Sequence, residues 1–389
     1  MSPERAAVRA VYAAFVVNGF AFASWASRIP QVKDQLDLSP AELGFVLFGI
    51  AVGSVVGLPL SGPLIHRFGS RRVVMVGSGI GGVGLVGVAI GLPLGVLPVV
   101  AGLMVTGYAM ASWDVGMNVQ GALVEQRIGQ AIMPRFHAGF SLGTVAGALG
   151  GVAMVALDVS VSAHLAVVGA AVAIGLPLAV RAFLPDREED EEPTNHGMRA
   201  WTERRTLLVG VFVLAFAFAE GAGNDWIGVA LIEDYGAPEA VGTLGLAAFL
   251  TAMTIVRWIG PDLLARHGRV KLVRGLAVIS VAGLALFVFG PTTGTAIAGA
   301  VLWGAGLALG FPVGMSAGAD DPALAAPRVS VVSSIAYCAF LAGPPGIGFI
   351  GEHSSVTRAL IAVIVLLGLA ALIAGAVRPL ASSTTRLPR

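Results

Sequence analysis

Three acidic residues lie inside long apolar segments of this 389-residue sequence, away from the segment ends: Asp114, Glu220 and Asp225. A charge at the centre of a bilayer costs about 2.5–3.5 kcal/mol on insertion scales, so such residues are rare and usually functional. Burial disfavours the charged form of a carboxylate. We therefore predict that Asp114 and Glu220 bind and release a proton. A fixed ion pair and a bound sodium ion are the alternatives, although we expect no Lys or Arg near the middle of a segment.

Amide and aromatic side chains recur at helical spacing around these acids. Asn118 follows Asp114 by four residues and Asn224 follows Glu220 by four, so one helix face presents both members of each pair. A polar-to-aromatic stripe with similar spacing begins at Asn18. Hydrogen-bonding groups beside aromatic rings suit a sugar-like or other amphipathic ligand, although ordinary helix packing explains the stripe equally well. The predicted binding residues are Asn18, Phe22, Trp25, Asn118, Asn224 and Trp303.

The elements that must position these residues are membrane-spanning helices. Of all residues, 56% are hydrophobic and 12% are charged, against about 25% charged residues in a soluble domain. A soluble fold of this composition would expose a large apolar surface, and the same apolar content excludes a disordered chain. We predict an all-α polytopic membrane protein with twelve spans of about 20 residues each. The spans are expected near residues 8–28, 41–60, 73–92, 98–124, 136–156, 161–184, 206–231, 241–260, 272–290, 295–317, 329–350 and 358–378.

The distribution of basic residues predicts the orientation of the chain. With the N-terminus in the cytoplasm, all but three of the 24 Lys and Arg residues fall on the cytoplasmic side, the exceptions being Arg28, Lys33 and Arg358. Basic residues concentrate on the cytoplasmic side of membrane proteins. An even number of spans is needed to preserve this bias, so we expect both termini in the cytoplasm.

An acidic, hydrophilic stretch divides the chain into two halves that resemble each other. We predict an N-terminal six-helix half at 1–184, a cytoplasmic linker at 185–205 and a C-terminal six-helix half at 206–389. Gly62-Pro63 matches Gly260-Pro261, and Val115-Gly116-Met117 matches Val313-Gly314-Met315 at the same offset. Two repeats related by an axis along the membrane normal form a known transporter plan, in which the solute binds between the halves.

The stretch that follows span 2 resembles the motif of the major facilitator superfamily, G-x-x-x-D-R-x-G-R-R. The matching residues are Gly62, Arg67, Gly69 and Arg71, whereas His66 replaces the usual acid and Ser70 replaces a basic residue. The resemblance extends over essentially the whole chain. It implies the twelve-helix major facilitator fold, a central cavity lined by spans 1, 4, 7 and 10, and a gating role for the four matching residues.

A narrower resemblance links span 4 to the fucose-permease-like sugar:proton symporters. The segment Asp114-Val115-Gly116-Met117-Asn118 is similar to their acid-x-x-x-Asn segment. This likeness implies that Asp114 binds the coupling proton and that Asn118 contacts a sugar hydroxyl. Those symporters carry a second acid in span 1, where this chain has Ala26. The segments Asn18-Gly19-Phe20 and Trp25-Ala26-Ser27-Arg28-Ile29-Pro30, with Asp225-Trp226, also look like a group of uncharacterised bacterial inner-membrane members.

Two charged residues toward the outer ends of spans 1 and 7 form a second candidate gate. Arg28 and Asp225 belong to different halves. We expect them to pair when the molecule is open to the cytoplasm, with two separately solvated charges as the alternative.

These observations together predict a proton-coupled secondary active transporter of a small organic solute, with a sugar-like solute favoured. The alternatives are a proton-driven efflux antiporter for metabolites or drugs and a solute-sensing receptor on a transporter scaffold. An enzyme is not expected, because no nucleophile–base set is visible. We expect no cofactor, no metal and no nucleic acid partner. The expected partners are the solute, protons and the lipid bilayer, and the expected form is a functional monomer in the bacterial cytoplasmic (inner) membrane.

Overall fold

The computed structural model describes residues 3–130, 132–186, 197–321 and 324–380, and within these ranges it contains helices and no strands. Twelve helical segments are long and apolar enough to cross a membrane, which confirms the predicted number of spans. The helices are α1 (Pro3–Ala26), α2 (Ile29–Gln35), α3 (Pro40–Phe68), α4 (Ser70–Gly91), α5 (Val96–Ile128), α6 (Met133–Ala156), α7 (Val161–Ala179), α8 (Gly197–Ala200), α9 (Arg204–Glu233), α10 (Glu239–His267), α11 (Arg269–Phe289), α12 (Thr293–Leu307), α13 (Gly310–Gly318), α14 (Ala325–Glu352), α15 (Val356–Ala359) and α16 (Ile361–Ile373).

Local sequence explains several helix ends. Ser39 precedes α3, and its side chain accepts a hydrogen bond from the Glu42 amide while the Glu42 carboxylate accepts one from the Ser39 amide. This reciprocal capping box satisfies two amides that a helix start leaves unpaired. Gly69 separates α3 from α4 with φ at 81°, and Gly268 separates α10 from α11 with φ at 72°. Glycine adopts this left-handed conformation at low cost, and its recurrence at equivalent places agrees with the predicted duplication.

Close helix approaches within each half depend on glycine. A Cβ added to Gly143 on α6 would collide with the carbonyl oxygen of Val16 on α1, and one added to Gly147 would lie 2.5 Å from the carbonyl oxygen of Phe20. Apolar lipid gives no hydrophobic drive for helix association, so small residues that let backbones touch stabilise the pair through packing.

The two halves meet through α3 against α14 and α6 against α10. We call the side with residues 36–39 the turn side, and the side with residues 183–186 and 199–204 the linker side. The contact of α3 with α14 is tight on the turn side. A Cβ on Gly44 would lie 2.6 Å from the carbonyl oxygen of Pro344, and a Cβ on Gly348 would lie 2.5 Å from that of Pro40.

Several helices extend beyond the predicted spans. Gly62 and Arg67 lie inside α3 rather than in a loop, and α10 continues seven residues past the predicted end of span 8 at residue 260. Hydropathy marks only the apolar part of a helix, whereas its backbone continues into the polar interface. Of the predicted linker, residues 187–196 lie outside the described residues, and the short helix α8 precedes α9.

Candidate functional site

The carboxylate of Asp114 lies in the middle of α5 and is partly exposed. Asn118 Nδ2 donates a hydrogen bond to the backbone oxygen of Asp114 at 2.9 Å and lies 3.5 Å from its Oδ1. On α1, Asn18 Nδ2 approaches the Met117 sulfur at 3.8 Å. Asn18 therefore contacts the helix that carries Asp114 and Asn118, through Met117. Among the described residues, Asp114 forms no ion pair.

Glu220 on α9 is held by an arginine. Nη2 of Arg257 donates to both carboxylate oxygens of Glu220, at 3.0 and 2.9 Å, and the two side chains are 24% and 25% exposed. The expectation that no basic residue lies near the middle of a span is therefore wrong. The fixed ion pair, an alternative reading for these acids, is the state that the structure records for Glu220. We call Asp114, Asn118, Glu220 and Arg257 the midspan site.

A backbone carbonyl anchors the same guanidinium. Nε of Arg257 donates to the carbonyl oxygen of Ala308 at 3.1 Å. Ala308 lies in the break between α12 and α13, four residues before Pro312. A helix would bond this carbonyl to the amide of residue 312, but proline has no N–H. Pro312 thus leaves the Ala308 carbonyl without its helical donor, and Arg257 donates to that carbonyl instead.

Two further titratable residues approach the midspan site from the opposite half. His137 on α6 is exposed and interacts electrostatically with Arg257 on α10. Tyr337 on α14 interacts electrostatically with Asp114 on α5. Sequence reasoning missed both of these residues and the pairing of Arg257, since no spacing rule connects residues on helices so distant in the chain.

The other predicted binding residues occupy different surroundings. Phe22 is partly exposed, whereas Trp25 and Trp303 are 2% and 0% exposed. The Trp303 ring packs edge-on against Phe249 and Phe287. Asn224 is buried, and its Oδ1 has no hydrogen-bond partner among the described residues. A binding role for these four residues stays a prediction.

Arg28 and Asp225 do not pair in this conformation, which is closed on their side of the molecule. Arg28 lies in the turn between α1 and α2, and its Nη2 donates to the carbonyl oxygen of Val159 in its own half at 2.6 Å. Asp225 is partly exposed and makes no hydrogen bond or ion pair with a described residue. The expected pair is thus absent, because the turn directs Arg28 toward the α6–α7 connection.

Other side chains join the halves on the turn side. Lys33 forms an ion pair with Glu233, and Gln31 Nε2 donates to Glu239 Oε2 at 2.8 Å. Each of these bonds links the segment around α2 to α9 or the start of α10. The sequence signal for them was only a cluster of charged residues at the predicted outer ends.

On the linker side, an acid from the predicted linker caps α4. The amide and hydroxyl of Ser70 donate to Asp186 at 2.6 and 2.5 Å, and Gln120 Nε2 donates to the same carboxylate at 3.0 Å. Negative charge is favourable at a helix N-terminus. Asp186 supplies a carboxylate beside the turn in which His66 replaces the usual acid. The exposed guanidinium of Arg67 lies 5.3 Å from the ring centroid of Phe68.

Comparison with known proteins identifies the family. The family model of the Major Facilitator Superfamily matches residues 11–326. The chain belongs to the major facilitator superfamily. An uncharacterised MFS-type transporter of Yersinia pestis is 31% identical over 360 residues, covering 91% of each chain. An uncharacterised transporter of Sinorhizobium fredii is 31% identical over 353 residues, covering 89% of this chain and 92% of its own.

Solved structures show the same major facilitator fold. The nucleoside transporter NupG superposes with a TM-score of 0.77 at 14% identity, covering 97% of this chain and 98% of its own. The fucose:proton symporter FucP of E. coli superposes with a TM-score of 0.61 at 14% identity, covering 94% and 97%. At these identities the likeness establishes the fold. This family and fold are those of membrane transporters and not of enzymes, which confirms the predicted fold class, resemblance and transport function.

Proposed function

We propose that this transporter moves a small hydroxylated, sugar-like solute by proton-coupled alternating access, with Asp114 as the main proton site. The observation that carries the proposal is a partly exposed midspan carboxylate that has no ion pair among the described residues. A carboxylate in low dielectric is stable when it binds a proton or a charged partner. Asp114 can therefore exchange a proton whenever water reaches it.

The surroundings of Asp114 suit a ligand with hydroxyl groups. The amide of Asn118 and the partly hydrogen-bonded Asn18 offer donors and acceptors on neighbouring helices. Hydroxyl groups both donate and accept hydrogen bonds, so they match such a set. Two proteins with this fold are named as transporters of hydroxylated solutes, a nucleoside and fucose.

Glu220 is the proposed second proton site. Its ion pair with Arg257 is partly exposed, so a proton can reach the carboxylate and weaken the pair. Protonation of Glu220 would then change which partners Arg257 binds.

We propose that the linker side faces the cytoplasm of a bacterial inner membrane, as the distribution of basic residues predicts. The recorded conformation, closed on the turn side, is then the one that opens inward. The bonds of Lys33 and Gln31 to the other half form the outer gate. The turn with Gly62, Arg67, Gly69 and Arg71, capped by Asp186, moves at the inner gate, and the functional unit is a monomer.

The variant Asp114→Asn tests the proton site. We expect it to abolish uphill, proton-driven uptake in proteoliposomes while solute exchange continues, because the neutral amide mimics the protonated acid without titrating. Asp262→Asn is the matched control, since Asp262 is exposed near the linker-side end of α10. Unchanged uphill uptake in Asp114→Asn would reject the assignment.

The same vesicles distinguish the alternatives. Symport predicts that solute and protons move in the same direction when a pH gradient is imposed, and efflux antiport predicts opposite directions. A solute-sensing receptor would bind the solute and show no flux in either gradient.

A further inference from the structure

One edge of the Arg257 guanidinium is open. Its Nη2 bonds Glu220 and its Nε bonds the Ala308 carbonyl, while Nη1 makes no hydrogen bond with a described residue. The side chain is 24% exposed. A guanidinium carries five N–H donors in a planar fork that matches the two oxygens of a carboxylate. Donors therefore remain at the midspan site for a ligand with acceptor oxygens.

The guanidinium has an anchor that does not depend on Glu220. Pro312 leaves the Ala308 carbonyl without its helical partner, and Arg257 Nε occupies that acceptor. If Glu220 became neutral, this bond would still hold the planar group in place. The Arg257 guanidinium would then lack a counter-ion while its position stayed fixed by the Ala308 carbonyl.

Few other charges face this corner. Among the helices packed against α9, the described parts of α12, α13 and α16 contain no charged residue. Between Arg328 in its first turn and its last residue Glu352, α14 contributes only Tyr337 and Cys338 as titratable groups. The short helix α15 carries the exposed Arg358, and α2 carries Lys33 and Asp34 at the turn side. On α9 itself, the charged residue nearest to Glu220 in sequence is Asp225. From α10 comes Arg257 itself, with Glu239 at the turn-side end and Asp262, Arg266 and His267 at the linker-side end. Across the halves, His137 is the residue that interacts with Arg257.

We propose that Arg257 is the anion-binding residue of the solute site, and that the solute is a hydroxylated carboxylic acid. The solute carboxylate replaces Glu220 on the guanidinium when Glu220 binds a proton. The net charge of the corner is unchanged by this exchange. One proton neutralises the Glu220 carboxylate, and one solute carboxylate becomes the new counter-ion of Arg257. This inference rests on the proposed function, since it assigns the substrate class of the same site.

The charges make the two binding events cooperative. An anion beside an ionised Glu220 meets repulsion, whereas protonation of Glu220 removes that repulsion and leaves the attraction of the guanidinium. By reciprocity, a bound anion favours the protonated form of Glu220 to the same degree. A cationic solute gains nothing in this corner, because it would face the guanidinium. Proton and anion therefore enter the site together, and the hydroxyl groups are left to Asp114 and Asn118.

Binding of two matched probes to the purified full-length protein tests this assignment. Glucuronate and glucose differ in one carboxylate, and their effect on thermal unfolding is measured at about pH 5.5 and about pH 8, on either side of neutrality. We expect glucuronate to stabilise the wild type more at the lower pH, with glucose less effective at both. Glu220→Gln should raise the affinity for glucuronate at the higher pH by about tenfold or more, the scale of a charge-assisted hydrogen bond.

Two arginine variants complete the test. Arg257→Gln should remove the preference for glucuronate over glucose, whereas Arg266→Gln, the same change at an exposed end of α10, should keep it. If Arg257→Gln does not fold, Glu220→Gln decides alone. If Glu220→Gln does not raise the affinity for glucuronate, the inference is overturned, whatever the result with glucose. The proposed function would survive that outcome, because transport that depends on Asp114 is measured separately.

Discussion

Three membrane-embedded acids of similar chemistry have three different surroundings. Asp114 has an amide neighbour and no ion pair among the described residues, Glu220 has an arginine, and Asp225 has no polar partner among those residues. The ion pair thus distinguishes Glu220, the proposed second proton site, from Asp114, the proposed main one. Each of the three acids is partly exposed.

Sequence reasoning predicted part of this arrangement. The four-residue spacing correctly placed Asn118 beside Asp114, because helical periodicity is a local property. The same spacing says nothing of Arg257, which pairs with Glu220 from another helix. Partners such as His137 and Tyr337 are decided by tertiary packing between halves, about which a single sequence is silent.

A surface residue gives a pH-dependent prediction at this scale. Hydrogen bonding from Arg328 lowers the pKa of Glu203, which precedes α9. A lowered pKa in the folded state means stability that is present above the unfolded value of about 4.3 and is lost as pH falls through the folded value. We expect Glu203→Gln to lower the unfolding temperature near neutral pH and to converge with the wild type in acid. In an Arg328→Gln background, Glu203→Gln should no longer change the unfolding temperature at either pH.

At the scale of elements, the number of helices followed from composition, but their ends did not. Apolar runs of about 20 residues are unambiguous. Helix ends depend instead on caps and turns, such as the Ser39 capping box and the positive φ of Gly69. The break before Pro312 was also unforeseen, since proline near the start of a helix is compatible with either continuity or interruption.

The glycine contact between α1 and α6 gives the prediction for this scale. Gly143→Ala should destabilise the protein by about 1–3 kcal/mol, because the added methyl group meets the Val16 backbone. Gly150→Ala on the same helix is the control. An added Cβ there meets nothing within 4 Å, so we expect no loss of stability and a small gain from helix propensity. Thermal unfolding in detergent measures both, and equal effects would contradict the packing argument.

At the scale of the whole molecule, the duplicated sequence indicated two halves, and the structure closes them on the turn side. Between described residues, the side-chain bonds that cross the halves lie there, apart from Thr254 Oγ1, which approaches the Ser141 carbonyl oxygen at 3.4 Å. The fold was therefore predictable. The conformation was not, because two alternating states of one chain differ by only a few kcal/mol.

Charge reversal at the closed side should shift that balance. Lys33→Glu places a carboxylate against Glu233, so we expect the turn-side closure to lose about 1 kcal/mol or somewhat more. A cysteine at Asn118, in a Cys338→Ser background, should then react more slowly with a maleimide applied from the linker side. Lys33→Glu combined with Glu233→Lys should restore the rate, and an unchanged rate in the single variant would contradict the gating role.

The break in the tenth span has an evolutionary consequence. Alignment of the repeats makes Pro312 the counterpart of Asp114, since each directly precedes a Val-Gly-Met triplet. Under the predicted duplication, the same position is an acid in one half and a proline in the other, and the proline frees the Ala308 carbonyl that accepts a hydrogen bond from Arg257. A descendant that keeps Asp114 but loses Pro312 would lose the backbone anchor of Arg257. We therefore expect Asp114 and Pro312 to be inherited together.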